Sequence, residues 1–387
     1  MPLRLEQISR HVDEMIGASQ TEKRRLDLEL ARQLMRQPDA AAAIRQRLGD
    51  SATRFTWPAA LPLGELNGAF AMPPLPDSFS VAAADGSSMG PDRHFPIRYY
   101  IVNTGHAVIT YGAEPGASLG SAGRLYYREE DLFVPPRGRT QPVEGAILAA
   151  KMFAEELQAL LEAARLASPP VVAFTDGVIV LWGLEKVDAA VQAALLQPFL
   201  EALNGFREAG TAVANYISMP GAHDVVDSLR LLLCDERPTQ CRLCAPGPDG
   251  ALPCASLAGI VDRAVFDYLG VGERSALFQS CSPILKQYGE HHVGFFYLNV
   301  GDEIARIEAP LWVLQDPLLL DRVHATAFDQ CRRGRGYPPA LQEAHEQAAI
   351  TQTDRRVVEE MIEAALARQR MHAPWSAKAR SKRERGV

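Results

Sequence analysis

Apolar residues recur at three- and four-residue spacing, with charges between them, through LEQISRHVDEMIGA and EKRRLDLELARQLMRQ. This predicts that residues 1–50 are helical. Proline and glycine punctuate the stretch from Trp57 to Pro76, which reads as a connector. From Phe79 the period shortens. SVAAADGSS reads as a small-residue strand ending in a turn, and IRYYIVNTGHAVITYG as an antiparallel pair turning around Asn103–His106. A helical period returns over Gly145–Leu166, with Phe153, Leu157, Leu160 and Ala164 on one face, and Pro169–Pro170 ends it. VVAFTDGVIVLWG then has the apolar run of a buried central strand. A helix over Asp188–Ala209 and a strand in TAVANYISMP follow. Residues 225–290 read as mostly helical around a cysteine-containing loop, HVGFFYLNVG and EIARIEAPLWVL as a strand pair, and Asp316–Arg370 as helix broken at GRGYPP.

Strands, then helix, strand, helix and strand predict an α/β fold with a mixed sheet flanked by helices, and helical additions at both ends. The predicted organisation is a helical region over 1–56, one main domain over 57–370 with a cysteine-containing insertion at about 234–254, and a basic tail over 371–387.

Composition changes this picture little. The chain's 47% hydrophobic and 22% charged residues are those of an ordinary globular protein. Its charged opening segment lacks the apolar stretch of a signal peptide, and no apolar run is long enough to span a membrane, so a cytoplasmic protein is expected. The formal charge of −7 is not that of a typical nucleic-acid binder. Positive charge is nonetheless concentrated in RRGRG at 332–336 and KARSKRERG at 378–386. The ordinary reading of such clusters is a solvated surface or tail.

The chemistry with most local signal is an aspartate followed by glycine at an apolar strand, once as Asp85 in AAADGSS and once as Asp176 in VVAFTDGVIV. Asp-Gly is a common turn, and one instance carries little weight. Asp176 is more telling, because its run stays apolar on both sides and an unpaired buried carboxylate is costly. Two such strands side by side would bring two carboxylates to one hard cation, and Mg²⁺ or Mn²⁺ takes oxygen ligands. On a helical wheel Glu156 borders the Phe153/Leu157/Leu160 stripe, whereas Glu155 points away; Glu156 is the preferred third acid, with Glu155 and Glu162 as alternatives. Four of the six cysteines, Cys234, Cys241, Cys244 and Cys254, fall close together with a single C-x2-C. They are either ligands of a structural Zn²⁺ or reduced loop thiols.

The ADGS strand end, the later DG in an apolar strand, and the run from FFYLNVGDEIARIEAPLWV to GYPPALQEAHEQAAI together resemble NurA nucleases, from about Phe79 to Ala364. The resemblance implies an RNase H-like fold, a homodimer, and Mn²⁺-dependent (or Mg²⁺-dependent) 5′-to-3′ exonuclease activity on DNA, single-stranded or at duplex ends, with endonuclease activity on single strands. It implies a partner too, a HerA-type hexameric ATPase that translocates on DNA during end resection. Carried over by position, the family's metal-binding acids fall on Asp85, Glu156 and Asp176, its C-terminal histidine on His345 and its nearby tyrosine on Tyr337. A histidine can ligate a metal or protonate a leaving oxygen near neutral pH, and a tyrosine can stack on a base. Arg332, Arg333 and Arg335 beside Tyr337 are candidates for tracking the DNA backbone. Where the family keeps a basic or polar residue, ANYISMPGAHDVVDSLR has no lysine, which leaves Tyr216, Ser218 and Arg230 as weak candidates. That departure keeps open a second reading, an inactive clamp or adaptor for the translocase. A third is a hydrolase acting on another phosphorylated substrate.

Overall fold

The structure is a computed structural model that describes residues 22–55, 57–92, 95, 97–134, 141–244 and 252–370, with isolated positions between 5 and 15. The basic tail at 371–387 and most of the first predicted helix lie outside the described residues. The chain divides into two compact units. The larger comprises Met72–Ile217, Pro283–Val293 and Ile307–Val387, and the smaller Met1–Ala71, Ser218–Ser282 and Gly294–Arg306.

The larger unit is built on five strands: β1 (Phe79–Met89), β2 (Tyr100–Tyr111), β3 (Gly116–Tyr126), β4 (Val171–Asp176) and β5 (Ala212–Ile217). Their order is β5-β4-β1-β2-β3. β1–β2 and β2–β3 are antiparallel, while β1–β4 and β4–β5 are parallel. This is a mixed sheet, as an α/β fold flanked by helices predicts. The parallel connections run through helices α1 (Ala146–Leu166) and α2 (Ala189–Glu208), as parallel strands require. Helices α3 (Pro317–Arg333), α4 (Pro339–Ala348) and α5 (Gln352–Arg368) complete the unit.

β1 carries Ala82, Ala83 and Ala84, all fully buried, so helices can lie close on both of its faces. Leu157, Leu160 and Ala164 of α1 join Leu195, Phe199 and Phe206 of α2 in one apolar core. Phe153 packs against it from a partly buried position, so the predicted stripe of α1 is the one that faces inward.

Two predicted turns are not turns. β1 runs in unbroken register with β2 from Phe79↔Tyr111 to Met89↔Ile101, so Asp85 and Gly86 lie within the strand and Asn103–His106 within its partner. The turn-forming residue types there serve a helix instead. The Asn103 amide donates to the Gln347 and Ala348 carbonyls at 3.1 and 2.8 Å, closing the C-terminal end of α4. A Cβ on Gly105 would lie 2.3 Å from the Ala348 nitrogen and 2.4 Å from the Ala344 oxygen, so only glycine lets α4 settle on the sheet.

The apolar run after Pro170 also ends earlier than its composition predicts. β4 stops at Asp176, where Gly177 turns with φ +84°. Ile179, Val180 and Leu181 are buried without strand partners, and side chains satisfy the backbone there. Ile179 N–H donates to Glu308 at 3.1 Å and Leu181 N–H to the Tyr288 hydroxyl at 3.0 Å. That hydroxyl in turn donates to the Ile179 carbonyl.

In the smaller unit, Ala60–Pro62 pairs antiparallel with Phe278–Ser280, which pairs antiparallel with Val293–Asn299. Helices Glu22–Met35, Ala40–Gly49 and Asp224–Arg230 surround a core that includes Ile44, Leu229, Phe266, Phe278 and Phe295. Residues 225–290 are not mostly helical as predicted. Beyond the short helix they hold only 3-10 turns and short strands among the described residues. Prolines at 238, 253 and 283 and repeated glycines cut the helical period into pieces too short to propagate.

The seat of α4 is testable. Gly105→Ala should lower stability by about 2 kcal/mol through overpacking against the α4 backbone. A urea midpoint equal to that of the wild type would show that α4 does not rest there.

Candidate active site

Three carboxylates come together at the end of the sheet where β4 stops. Asp85 projects from β1 on the face covered by α4, because its cross-strand partner is Gly105, whose missing Cβ points at α4. The neighbouring Gly86 faces the other way, where an added Cβ would lie 2.9 Å from Met152 Cγ and 3.1 Å from Glu156 Oε2. The absence of a side chain at Gly86 is thus what lets Glu156 reach the strand. Asp176 stands exposed at the tip of β4, adjacent to β1 in the sheet.

The three acids differ in surroundings. Glu156 is only 3% exposed, and its carboxyl is held well above the usual range, first by burial and then by the charges of Asp85 and Asp176. Asp176 is shifted the same way, mainly by desolvation, and eased by hydrogen bonds from the Gly177 N–H and the Tyr337 hydroxyl. Burial and Asp176 together push the Tyr337 phenol above its ordinary value. Asp85 Oδ2 lies 2.6 Å from His345 Nδ1, and its other oxygen accepts from the Gly86 N–H at 2.8 Å.

These five residues, brought together from β1, α1, β4, the turn before α4 and α4 itself, are Asp85, Glu156, Asp176, Tyr337 and His345. Glu155, expected to face solvent, is half-buried instead. It accepts a 2.5 Å hydrogen bond from the Tyr126 hydroxyl, on the side of α1 that lines a separate cleft with Lys151 and Arg124. Glu162 is exposed and paired with Gln158. Of the three acids weighed on this helix, Glu156 is the one beside the two aspartates.

Of the basic candidates, Arg333 is engaged, with Nε 2.5 Å from Asp329 and its guanidinium 4.2 Å above the Tyr111 ring. Arg332 and Arg335 are exposed. Arg230 belongs to the smaller unit, where it pairs with buried Asp227 and stacks 4.0 Å from the Trp57 ring. Ser218 bonds to Glu303 in the same unit. Tyr216 is fully buried edge-on against Tyr337, with its hydroxyl bonded to Cys331 Sγ, and so supports that ring from beneath. The residues that hold the backbone after Asp176, Glu308 and Tyr288, were not visible as site-forming in the sequence. A buried glutamate inside the apolar EIARIEAPLWV strand was their one signal.

Oxygen donors and mutual repulsion suit a hard divalent cation, which would supply the missing countercharge. Glu156 feels only influences that disfavour its charged form, so the donor set fits such an ion. Among the described residues no three His, Cys, Asp or Glu side chains are already drawn up as a metal cage. Each aspartate is instead bonded to a neighbouring N–H and to His345 or Tyr337.

The buried acid has a consequence for stability. Because the Glu156 pKa is raised on folding, its protonated form stabilises the metal-free protein at and below the ordinary value of 4.5, and that contribution is lost as pH rises. Glu156→Gln should therefore be more stable than wild type in chelator at about pH 7, by on the order of 1 kcal/mol or more, and equal to it in acid. Urea unfolding at both pH values checks this; a variant less stable at neutral pH would refute the buried charge.

The NurA domain family matches residues 79–350 of the chain. A solved structure, that of the NurA nuclease from Sulfolobus solfataricus, aligns over 78% of this chain and 87% of its own, with 14% identity and a TM-score of 0.48. No curated protein matches. Since the family match spans well over half of its residues, including every member of the carboxylate site, the chain belongs to the NurA family of nuclease domains.

Proposed function

We propose that this protein is a Mn²⁺- or Mg²⁺-dependent deoxyribonuclease that degrades DNA from 5′ ends and cuts single strands internally. In this proposal it acts in the cytoplasm as a homodimer, alongside a HerA-type translocase during end resection. The observation that carries it is the convergence of Asp85, Glu156 and Asp176 from β1, α1 and β4, with His345 2.6 Å from Asp85.

Asp85, Glu156 and Asp176 would hold the cation. When bound, it would supply Lewis acidity to the phosphodiester and favour ionisation of the attacking water. Asp85 orients His345 through Nδ1, which leaves Nε2 to exchange a proton with the reacting oxygens. Tyr337 fixes the rotamer of Asp176 through its hydroxyl, and Tyr216 fixes the ring of Tyr337. Arg332 and Arg335, exposed next to Tyr337, would meet the DNA backbone as a salt-sensitive contact. No helix among the described residues is long and apolar enough to cross a membrane.

Incubation of the purified protein with 5′-labelled single-stranded DNA and Mn²⁺ should give cleavage that Asp85→Ala reduces by roughly 10²-fold or more. Tyr337→Phe should cost less, roughly 10-fold, because it loosens one ligand without removing it. Equal cleavage by wild type and Asp85→Ala would place the chemistry elsewhere. Silence of the wild type, with and without the translocase, would favour the adaptor reading.

A further inference from the structure

We infer that Cys234, Cys241, Cys244 and Cys254 form a four-thiolate structural zinc site in the smaller unit, separate from the carboxylate site and independent of the nuclease reading. The four sulfurs reach one neighbourhood from three segments, each anchored on its own. Cys234 ends the run of tight turns that prolongs the helix Asp224–Arg230, its N–H donating to the Leu231 carbonyl. The 240–244 turn is tied to residue 54: Arg54 N–H donates to the Thr239 carbonyl at 2.7 Å, and Cys241 N–H to the Arg54 carbonyl at 3.0 Å. Cys254 lies in the 3-10 helix Pro253–Leu257. The Cys244 thiol is hydrogen-bonded to that of Cys234, and the thiols of Cys241 and Cys254 are its other charge-bearing neighbours.

Cysteines used only as small apolar residues would be buried together, and here they are not. Cys234 and Cys254 are 8% and 6% exposed, whereas Cys241 and Cys244 sit half-buried on a turn beside Leu243, which is 73% exposed. The described residues from 231 to 260 contain neither an α-helix nor a β-ladder strand. A segment so poor in regular hydrogen bonding and apolar burial gains most from a cross-link.

Charge gives a second, independent argument. Four thiols binding Zn²⁺ release four protons and leave a centre of net charge −2. Two guanidinium groups stand on the ligand residues: Arg47 donates to the Cys234 carbonyl at 2.8 Å, and Arg230, also paired with Asp227, to the Cys254 carbonyl at 3.0 Å. Outer-shell donors of this kind orient ligand residues and favour an anionic metal–thiolate centre. The sulfurs are neighbours without yet standing as a cage among the described residues.

The test is elemental analysis of the full chain purified from zinc-supplemented medium without chelator. One zinc per chain is expected, retained in Cys281→Ser and in Asp85→Ala, and lost from the Cys241→Ser/Cys244→Ser double variant. That double variant changes only the half-buried pair and leaves buried Cys234 and Cys254 in place. Cobalt substitution gives a second readout: the wild type should show thiolate-to-cobalt charge transfer and the visible bands of a tetrahedral site, and the double variant neither. A wild-type protein that holds no zinc and shows no thiolate–cobalt band would overturn the inference. So would zinc retained in the double variant, and zinc lost from Asp85→Ala would assign the ion to the carboxylates.

Discussion

The larger unit is organised around a repulsion. Glu156 is almost fully buried, and the two groups that disfavour its charge most after desolvation are Asp85 and Asp176. Burying one acid beside two others disfavours its charged form. Packing holds it there. Ala82, Ala83, Ala84 and Gly86 leave β1 with so little side-chain bulk that α1 lies against it and carries Glu156 to the strand. The same acids are then restrained by hydrogen bonds from the Gly86 and Gly177 N–H groups and the Tyr337 hydroxyl.

The alternation of a β-strand explains how one short sequence serves two sides of the sheet. Asp85 faces α4 and meets His345, while Gly86, one residue on, faces α1 and admits Glu156. An Asp-Gly pair within a strand therefore does two jobs that a turn could not. It also explains why α4 must sit so close. His345 reaches Asp85 only because Gly105 and Asn103 hold the helix on the sheet through its backbone.

Much of this was legible in the sequence. The α1 stripe, the strand that begins after Pro170 and the helices after residue 316 follow directly from hydrophobic period. Glu156 could be preferred over Glu155 because one position on a helix changes the face by about 100°. What failed, failed for tertiary reasons. Asn103 and Gly105 carry turn chemistry, yet they lie in mid-strand because a helix terminus needs the amide and a helix backbone needs the space. The apolar residues after Asp176 resemble a strand, yet Glu308 and Tyr288, more than a hundred positions away, satisfy their backbone. Such long-range partners leave no periodic trace. Tyr337 and His345 carry no local signal either, and only likeness to a family singled them out.

Net charge is the remaining tension for a protein that is to act on DNA. The −7 of the whole chain says little about the field at one sheet end, because exposed charges beyond roughly 10 Å are screened at moderate salt. Locally the sign is set by few groups. A cation held by the carboxylates, as proposed, would add positive charge there, and Arg332 at the end of α3 and Arg335 in the turn that carries Tyr337 stand exposed. Arg333, between them in sequence, is bound to Asp329 and stacked on the Tyr111 ring, where it anchors the end of α3. A phosphodiester would then be drawn to this end of the sheet only when the cation and the two exposed guanidinium groups together outweigh three acids. On the proposed reading, metal occupancy would then be a condition for binding DNA as well as for cleaving it.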